Sequence, residues 1–210
     1  MARRLTTLLL AVSCAVTAGC AGKKPEENVR PVTLPLPTPA IAGRKVAVFP
    51  VTLIAADRRL GWDEAIGPRD VAKHRADSVL AEFLMERAPE VDWVLPDALR
   101  NAAARAPGVL TDPDKMGTAL LRADGIDQIP DPLRSQMRNL IAVAADRFAL
   151  IPAAVTFVPT PEGAGSAEIT FVLVDVRFGT ITWRTVSYAE GHDPWVAMWN
   201  ALRSLVPDLP

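Results

Sequence analysis

The spacing of hydrophobic positions changes along the chain, and each spacing predicts a different element. Residues 45–51 are apolar on both faces and rich in β-branched side chains, as in a central strand. In residues 69–87 the apolar positions recur every three or four residues, which predicts a long amphipathic helix. The same spacing predicts a helix that ends near residue 147. We therefore expect Phe83 and Leu140, in the middle of these two stripes, to be buried against a sheet.

The C-terminal part of the chain shifts to the pattern of strands. Predicted strands cover residues 149–158, 167–177 and 180–189. Phe178 and Gly179 mark a tight hairpin between the last two strands. With a further short strand at 91–95, the pattern predicts an α/β (α+β) sandwich over residues 43–210. This single domain has a mixed sheet of about five strands, a C-terminal β-meander and packed helices.

Aspartates precede or open four of the predicted helical segments, where their carboxylates can cap free backbone N–H groups. They are Asp97, Asp112, Asp131 and Asp193. Residues 97–131 also form a long acidic insertion between the second strand and the helix that follows. The acidic spacing there fits no EF-hand loop, so helix capping explains it better than a calcium site.

The first nineteen residues have the composition of a bacterial signal peptide. Two arginines are followed by an uncharged apolar stretch that is too short to span a membrane. Residues 16–20 resemble the lipobox of bacterial lipoproteins, which implies cleavage before Cys20 and lipid attachment to Cys20. The alternative is a plain signal peptide with an incidental cysteine. By resemblance to lipoprotein sorting in enteric bacteria, Ala21 after the cysteine implies the outer membrane, with the domain facing the periplasm.

Residues 20–42 are predicted to be a tether that starts at the lipidated cysteine. Four prolines between residues 31 and 39 favour an extended polyproline II chain and oppose a helix. The tether is either a spacer that lifts the domain off the membrane or an ordinary disordered terminus, and a lipid at Cys20 favours the spacer.

Composition excludes several classes of function. The formal net charge of −1 leaves no basic excess for nucleic acid. The two cysteines are Cys14 and Cys20, so residues 43–210 contain no disulfide, thiol nucleophile or zinc–thiolate site. The two histidines, His74 and His192, lack metal-ligand spacing, and we find no nucleophile elbow or phosphate-binding loop. We therefore expect no cofactor, no metal and no enzymatic activity.

The loop at residues 57–63 is the best candidate for an interaction site. It contains Arg58, Arg59 and Trp62, and arginine and tryptophan are enriched among the residues that dominate binding energy. Gly61 can let the chain present Trp62 outward. The alternative is that Trp62 folds back as a lid on the core.

Farther along, Asp175 and Arg177 lie two residues apart on one strand, which predicts an ion pair on the sheet surface.

Three segments resemble those of a broad group of periplasmic α/β lipoprotein domains. They are the strand at 45–51, the helix and strand at 144–152 and the hairpin at 173–183. The group includes penicillin-binding-protein activator lipoproteins, curli-secretion lipoproteins and the amino-terminal domain of the TolB protein. The resemblance implies a fold and a compartment more than an activity, and the insertion at 97–131 departs from it.

Together these features predict a membrane-anchored periplasmic lipoprotein that acts as a non-enzymatic binding or assembly module. Its expected partners are the membrane, through the lipid on Cys20, and another envelope protein. An alternative is a lipoprotein that binds a small ligand or glycan with the Trp62 loop and the acidic insertion. A third is an envelope hydrolase whose catalytic residues meet only in the folded protein.

Overall fold

A mixed six-stranded sheet between two layers of helices organises the protein, in a computed structural model that describes residues 32–206. The strands are β1 (Lys45–Val48), β2 (Ile54–Ala56), β3 (Asp92–Val94), β4 (Phe148–Pro159), β5 (Gly165–Asp175) and β6 (Thr180–Gly191). The helices are α1 (Thr38–Ile41), α2 (Asp63–Ile66), α3 (Arg69–Arg87), α4 (Pro96–Arg105), α5 (Leu133–Ala144) and α6 (Pro194–Arg203). The predicted α/β class, the mixed sheet and the C-terminal meander are confirmed.

The sheet combines a parallel part with the antiparallel meander. Its strand order is β3-β1-β4-β5-β6, and β1 pairs in parallel with both β3 and β4. Strand β2 is an addition to the expected five strands, because the sequence pattern predicted no strand at Ile54–Ala56. Pro50 cannot donate a ladder hydrogen bond, and the chain resumes pairing four residues later, where Ile54 lies beside Val155 of β4.

Each face of the sheet has its own hydrophobic core. On the first face, α3 and α6 cover Val46 and Val48 of β1; on the second, α4 and α5 cover Ala47 and the adjacent Phe49. This alternation is the two-residue period of a strand buried on both sides. Phe83 and Leu140 are both 0% exposed, so the predicted helix faces are confirmed.

The segment at residues 33–41 differs from the predicted tether. Leu36 and Ile41 are 5% and 1% exposed, and both belong to the first core. The Leu36 N–H donates to the Leu205 carbonyl at 2.7 Å, and the Thr33 hydroxyl donates to the Val186 carbonyl at 2.9 Å. The apolar side chains of Leu36, between two prolines, and Ile41, just after the last of them, explain this, because burying them stabilises the segment on the domain. Residues 1–31, including Cys20 and the signal sequence, lie outside the described residues.

Helix starts follow the predicted aspartates only in part. The Asp193 carboxylate accepts hydrogen bonds from the N–H groups of Trp195 and Val196, at 2.8 and 3.0 Å, so it caps α6 as predicted. Asp97 does not cap α4; it lies inside the helix, and Leu95 occupies the cap position. Asp112 caps a short 3-10 turn, Pro113–Lys115, instead of the expected helix.

Candidate functional site

Trp62 lies against the first core. It is half-buried, and its ring centroid is 5.8 Å from that of Phe157, with the two rings nearly perpendicular. The missing side chain of Gly165 makes room for it, because a Cβ atom there would lie 2.2 Å from Trp62 Cη2. The Trp62 ring therefore packs on the core, as the lid alternative predicted, and the prediction that the ring points outward is wrong.

A second tryptophan holds the other end of the same loop. The Trp195 indole N–H donates to the carbonyl of Ala65 at 3.0 Å, and its ring centroid is 6.3 Å from that of Phe157. The Arg75 guanidinium carbon lies 4.4 Å from the centroid of the Trp195 ring, within cation–π range. The loop between β2 and α3 is thus attached to the core at two points.

Arg58 and Arg59 form the outer surface of this loop. Both are exposed, and they belong to a 3-10 turn, Arg58–Leu60, that is capped by Asp57. The Asp57 carboxylate accepts from the Arg59 backbone N–H at 2.9 Å and pairs with the Arg59 guanidinium at 2.7 Å. These contacts lower the pKa of Asp57 to about 2 and raise the pKa of Arg59. The structure therefore fixes the Arg59 guanidinium beside Asp57 on the exposed side of the loop, with Arg58 exposed next to it.

A charge cluster around the buried Asp77, which the sequence did not indicate, lies at the carboxyl ends of β1 and β3. Arg100 of α4 donates hydrogen bonds to Asp77, Asp97 and Asp114, with N···O distances of 2.5, 2.9 and 2.8 Å. The other Asp77 oxygen accepts from the Val51 N–H at 2.8 Å. One arginine thereby connects α3, α4 and the acidic insertion to the end of the first strand.

The electrostatics of this cluster favour a structural role. Burial raises the pKa of Asp77 more than its hydrogen bonds from Val51 and Arg100 lower it. The hydrogen bond from Arg100 lowers the pKa of Asp114, and the same contact raises the pKa of Arg100. The adjoining cleft of about 510 Å³ opens where α/β sheets often bind ligands, but these carboxylates are already paired with Arg100. Within residues 32–206, no group of three acidic, histidine or cysteine side chains could hold a metal ion.

The Trp62 loop and the acidic insertion lie on opposite faces of the sheet. Trp62 packs on the core formed by α3 and α6, whereas Met116, Leu121 and Ile129 of the insertion belong to the core under α4 and α5. A ligand site that combines the two segments is therefore not formed.

Asp175 does not form the predicted ion pair with Arg177. Its carboxylate is buried and pairs with Arg147, whose Nε donates at 2.7 Å. The Arg177 side chain instead lies beside the exposed ring of Phe178, 5.7 Å from its centroid. Sequence analysis treated Phe178 only as a turn residue. Arg177, which precedes Phe178 in the sequence, was the one available hint of an interaction surface, because the second arginine, Arg147, is distant along the chain.

Comparisons with known proteins find distant structural likenesses. No protein-family model matches the chain, and no curated protein matches it. The LpoB C-terminal domain from Salmonella enterica is similar at 16% identity, over 71% of this chain and 84% of that chain, with a TM-score of 0.42. The LpoB C-terminal domain from Escherichia coli is similar at 13% identity, over 72% of this chain and 85% of that chain, with a TM-score of 0.37. A chain of the PelC dodecamer from Paraburkholderia phytofirmans is similar at 18% identity, over 84% of this chain and 94% of that chain, with a TM-score of 0.36.

These likenesses carry no conclusion about function, and the resemblance to periplasmic lipoprotein domains stays a prediction from sequence. The helices of residues 32–206 include none that is both long and apolar enough to cross a membrane.

Proposed function

We propose that this protein is a lipid-anchored accessory protein of the bacterial envelope, which binds another envelope protein and catalyses no reaction. The observation that carries the proposal is the surface formed by Arg58 and Arg59. Both side chains point outward from a loop that Trp62 and Trp195 attach to the core. Arginine is enriched among binding hot spots, and a rigid surface loses little conformational entropy on binding.

The proposed anchor is the lipid on Cys20, in the part of the chain outside the described residues. Because Thr33 already contacts β6, twelve residues, 21–32, lie between the anchor and the domain, which makes thirteen Cα–Cα steps. An extended chain of that length reaches at most roughly 45 Å. The tether would then keep Thr33 within that distance of the membrane, and the partner would be an envelope protein on the periplasmic side of the outer membrane.

Replacing Cys20 tests the anchor. The Cys20→Ser variant should move from the membrane fraction to the soluble exported fraction, or accumulate as an unprocessed precursor. Mass spectrometry of the unmodified chain should find acyl chains on Cys20. A Cys20→Ser protein that stays in the membrane with unchanged mobility would contradict the proposal.

Photo-crosslinking in cells tests the binding surface. The photoreactive residue p-benzoylphenylalanine would replace Arg58, and the matched control would place it at Arg138, an exposed arginine of α5. We expect one major protein adduct from position 58, which Arg59→Glu weakens, and little from position 138. Equal adducts from both positions, or none from position 58, would refute the role of this surface.

A further inference from the structure

The turn between β5 and β6 exposes an aromatic side chain. Among the large apolar side chains that are exposed in residues 32–206, Phe178 is the only aromatic one, at 53% exposure. The turn spans residues 176–179, two residues longer than the predicted hairpin. Single exposed apolar side chains are common on protein surfaces, so exposure alone does not mark Phe178 as a binding residue; the geometry of its turn and its charged neighbours do.

The turn is held in one conformation from inside the domain. The buried Asp175 carboxylate accepts hydrogen bonds from the N–H groups of Arg177 and Phe178, at 3.1 and 3.4 Å. Gly179 adopts a positive φ of 72°, and its N–H donates to the Asp175 carbonyl at 2.8 Å. The Gly179 carbonyl accepts from Ile129 at 2.8 Å. Phe178 is therefore presented by a preorganised turn, which lowers the entropic cost of binding.

Two guanidinium groups flank the exposed ring. The Cζ atoms of Arg147 and Arg177 lie 5.3 and 5.7 Å from the centroid of the Phe178 ring. Arg147 is already paired with Asp175. Burial raises the pKa of Asp175, but the hydrogen bonds from Arg147 and from the backbone N–H groups lower it more, so the pKa lies below its ordinary value. Arg177 has no carboxylate partner among the described residues, so positive charge at this turn is not fully balanced.

The described part of the chain begins beside β6 and, followed back towards its first residue, runs away from this turn. Leu34 donates to the Thr185 hydroxyl, and Thr33 donates to the carbonyl of Val186. Followed back from Leu34 to Thr33, the chain moves along β6 towards Gly191 and away from Gly179. Gly179 is six residues before Thr185, roughly 20 Å along an extended strand.

We propose that the turn at residues 176–179 is a second docking point for a protein, in which Phe178 enters an apolar pocket of the partner. Carboxylates at the rim of that pocket pair with Arg177 and with the exposed part of Arg147. The proposal rests on the proposed function only in requiring an envelope partner. A phenylalanine between arginines also suits an anionic lipid surface, but the described chain starts beside β6 and, followed back towards its first residue, runs away from this turn, which favours a protein.

Crosslinking from the turn itself tests this proposal in cells that make the full, lipid-modified chain. The photoreactive p-benzoylphenylalanine replaces Phe178, with Val109 as the matched control, because Val109 is exposed by 74% and lies in the insertion. We expect a protein adduct at position 178 whose crosslinked peptide, identified by mass spectrometry, lies beside aspartate or glutamate. Arg177→Glu should reduce this adduct about tenfold or more, and Arg177→Lys should retain most of it.

Several outcomes overturn the proposal. They are no adduct at position 178, an equal adduct at Val109, a lipid adduct, an adduct with a second copy of this chain, and an adduct that Arg177→Glu leaves unchanged. Thermal unfolding of the Arg177→Glu protein checks that a lost adduct does not reflect lost folding. An adduct from position 58 without one from position 178 would sustain the proposed function and reject this second docking point.

Discussion

The Trp62 loop and the Phe178 turn lie at opposite ends of the meander, and each contains an aromatic residue close to arginines. At the first end, Gly165 leaves the space into which the Trp62 ring packs. At the second end, the corresponding space beside Gly179 is filled by Arg134, whose Nε would lie 2.5 Å from an added Cβ. The tryptophan is therefore held against the core, while the phenylalanine stays in solvent.

This difference shows that an aromatic residue next to arginines does not by itself indicate an exposed anchor. Arg58 and Arg59 at one end and Arg177 at the other stay exposed, since solvation of the guanidinium is favourable there. What decides the position of the ring is whether the sheet beneath it offers room. The comparison thus assigns Trp62 to packing and Phe178 to the surface, and each assignment has a measurable consequence.

The largest expected effect comes from Trp62→Ala, because it removes a half-buried ring from its contact with Phe157. We expect a loss of about 2–3 kcal/mol in the free energy of unfolding, measured by urea denaturation. Phe83→Ala, at a fully buried position, provides the reference and should cost more. A Trp62→Ala protein as stable as the parent would show that the ring is not a packing residue, and the contrast between the two ends would fail.

Gly165→Ala should destabilise the protein by about 2 kcal/mol, since the added methyl group forces the Trp62 ring to move. The same substitution in a Trp62→Ala background should cost close to nothing, because the clash is gone. Urea denaturation of the single and double variants forms a mutant cycle that measures this coupling. Additive costs would show that Gly165 serves some purpose other than accommodating the indole.

Asp175→Asn tests how the Phe178 turn is held in place. The asparagine retains an acceptor for the N–H groups of the turn but removes the ion pair with Arg147. The folded-state pKa of Asp175 lies below its ordinary value, so the ionised carboxylate stabilises the fold above about pH 4. That stabilisation is lost as the pH falls through the folded-state pKa. We expect a deficit of about 1 kcal/mol at pH 7 that shrinks below pH 4.

Denaturation curves across this pH range provide the measurement, and Arg177→Gln is the control. Arg177 contacts Asp175 only through its backbone N–H, so its side-chain substitution should leave the pH dependence unchanged. A deficit for Asp175→Asn that is constant from pH 2 to pH 7 would contradict the ion-pair explanation.

The sequence predicted those elements whose residues carry a complete local pattern. The helix at 69–87 has both predicted ends, because its apolar stripe is long and Pro68 precedes it. Strand β2 could not be predicted, since three residues show no period and its pairing depends on β4. The position of Trp62 likewise depends on Gly165, which is distant in sequence.

The charged contacts were harder to predict than the elements. Asp175 pairs with Arg147, which precedes the meander, and a spacing rule within one strand selected Arg177 instead. The three carboxylates around Arg100 come from α3, α4 and the insertion, so no local motif brings them together. Both contacts depend on tertiary packing, which spacing along the chain does not encode.

The smallest expected effect on stability is that of Phe178→Ala. The ring is exposed, and its stacking on two arginines contributes at most about 0.5–1 kcal/mol. Removing it also relieves the exposure of an apolar surface, so we expect a net change below about 0.5 kcal/mol, or about 1–2 °C in Tm. Differential scanning calorimetry beside Trp62→Ala makes the comparison direct. A loss as large as that of Trp62→Ala would mean that both rings are packing residues and that the Phe178 turn is no more a free surface than the Trp62 loop.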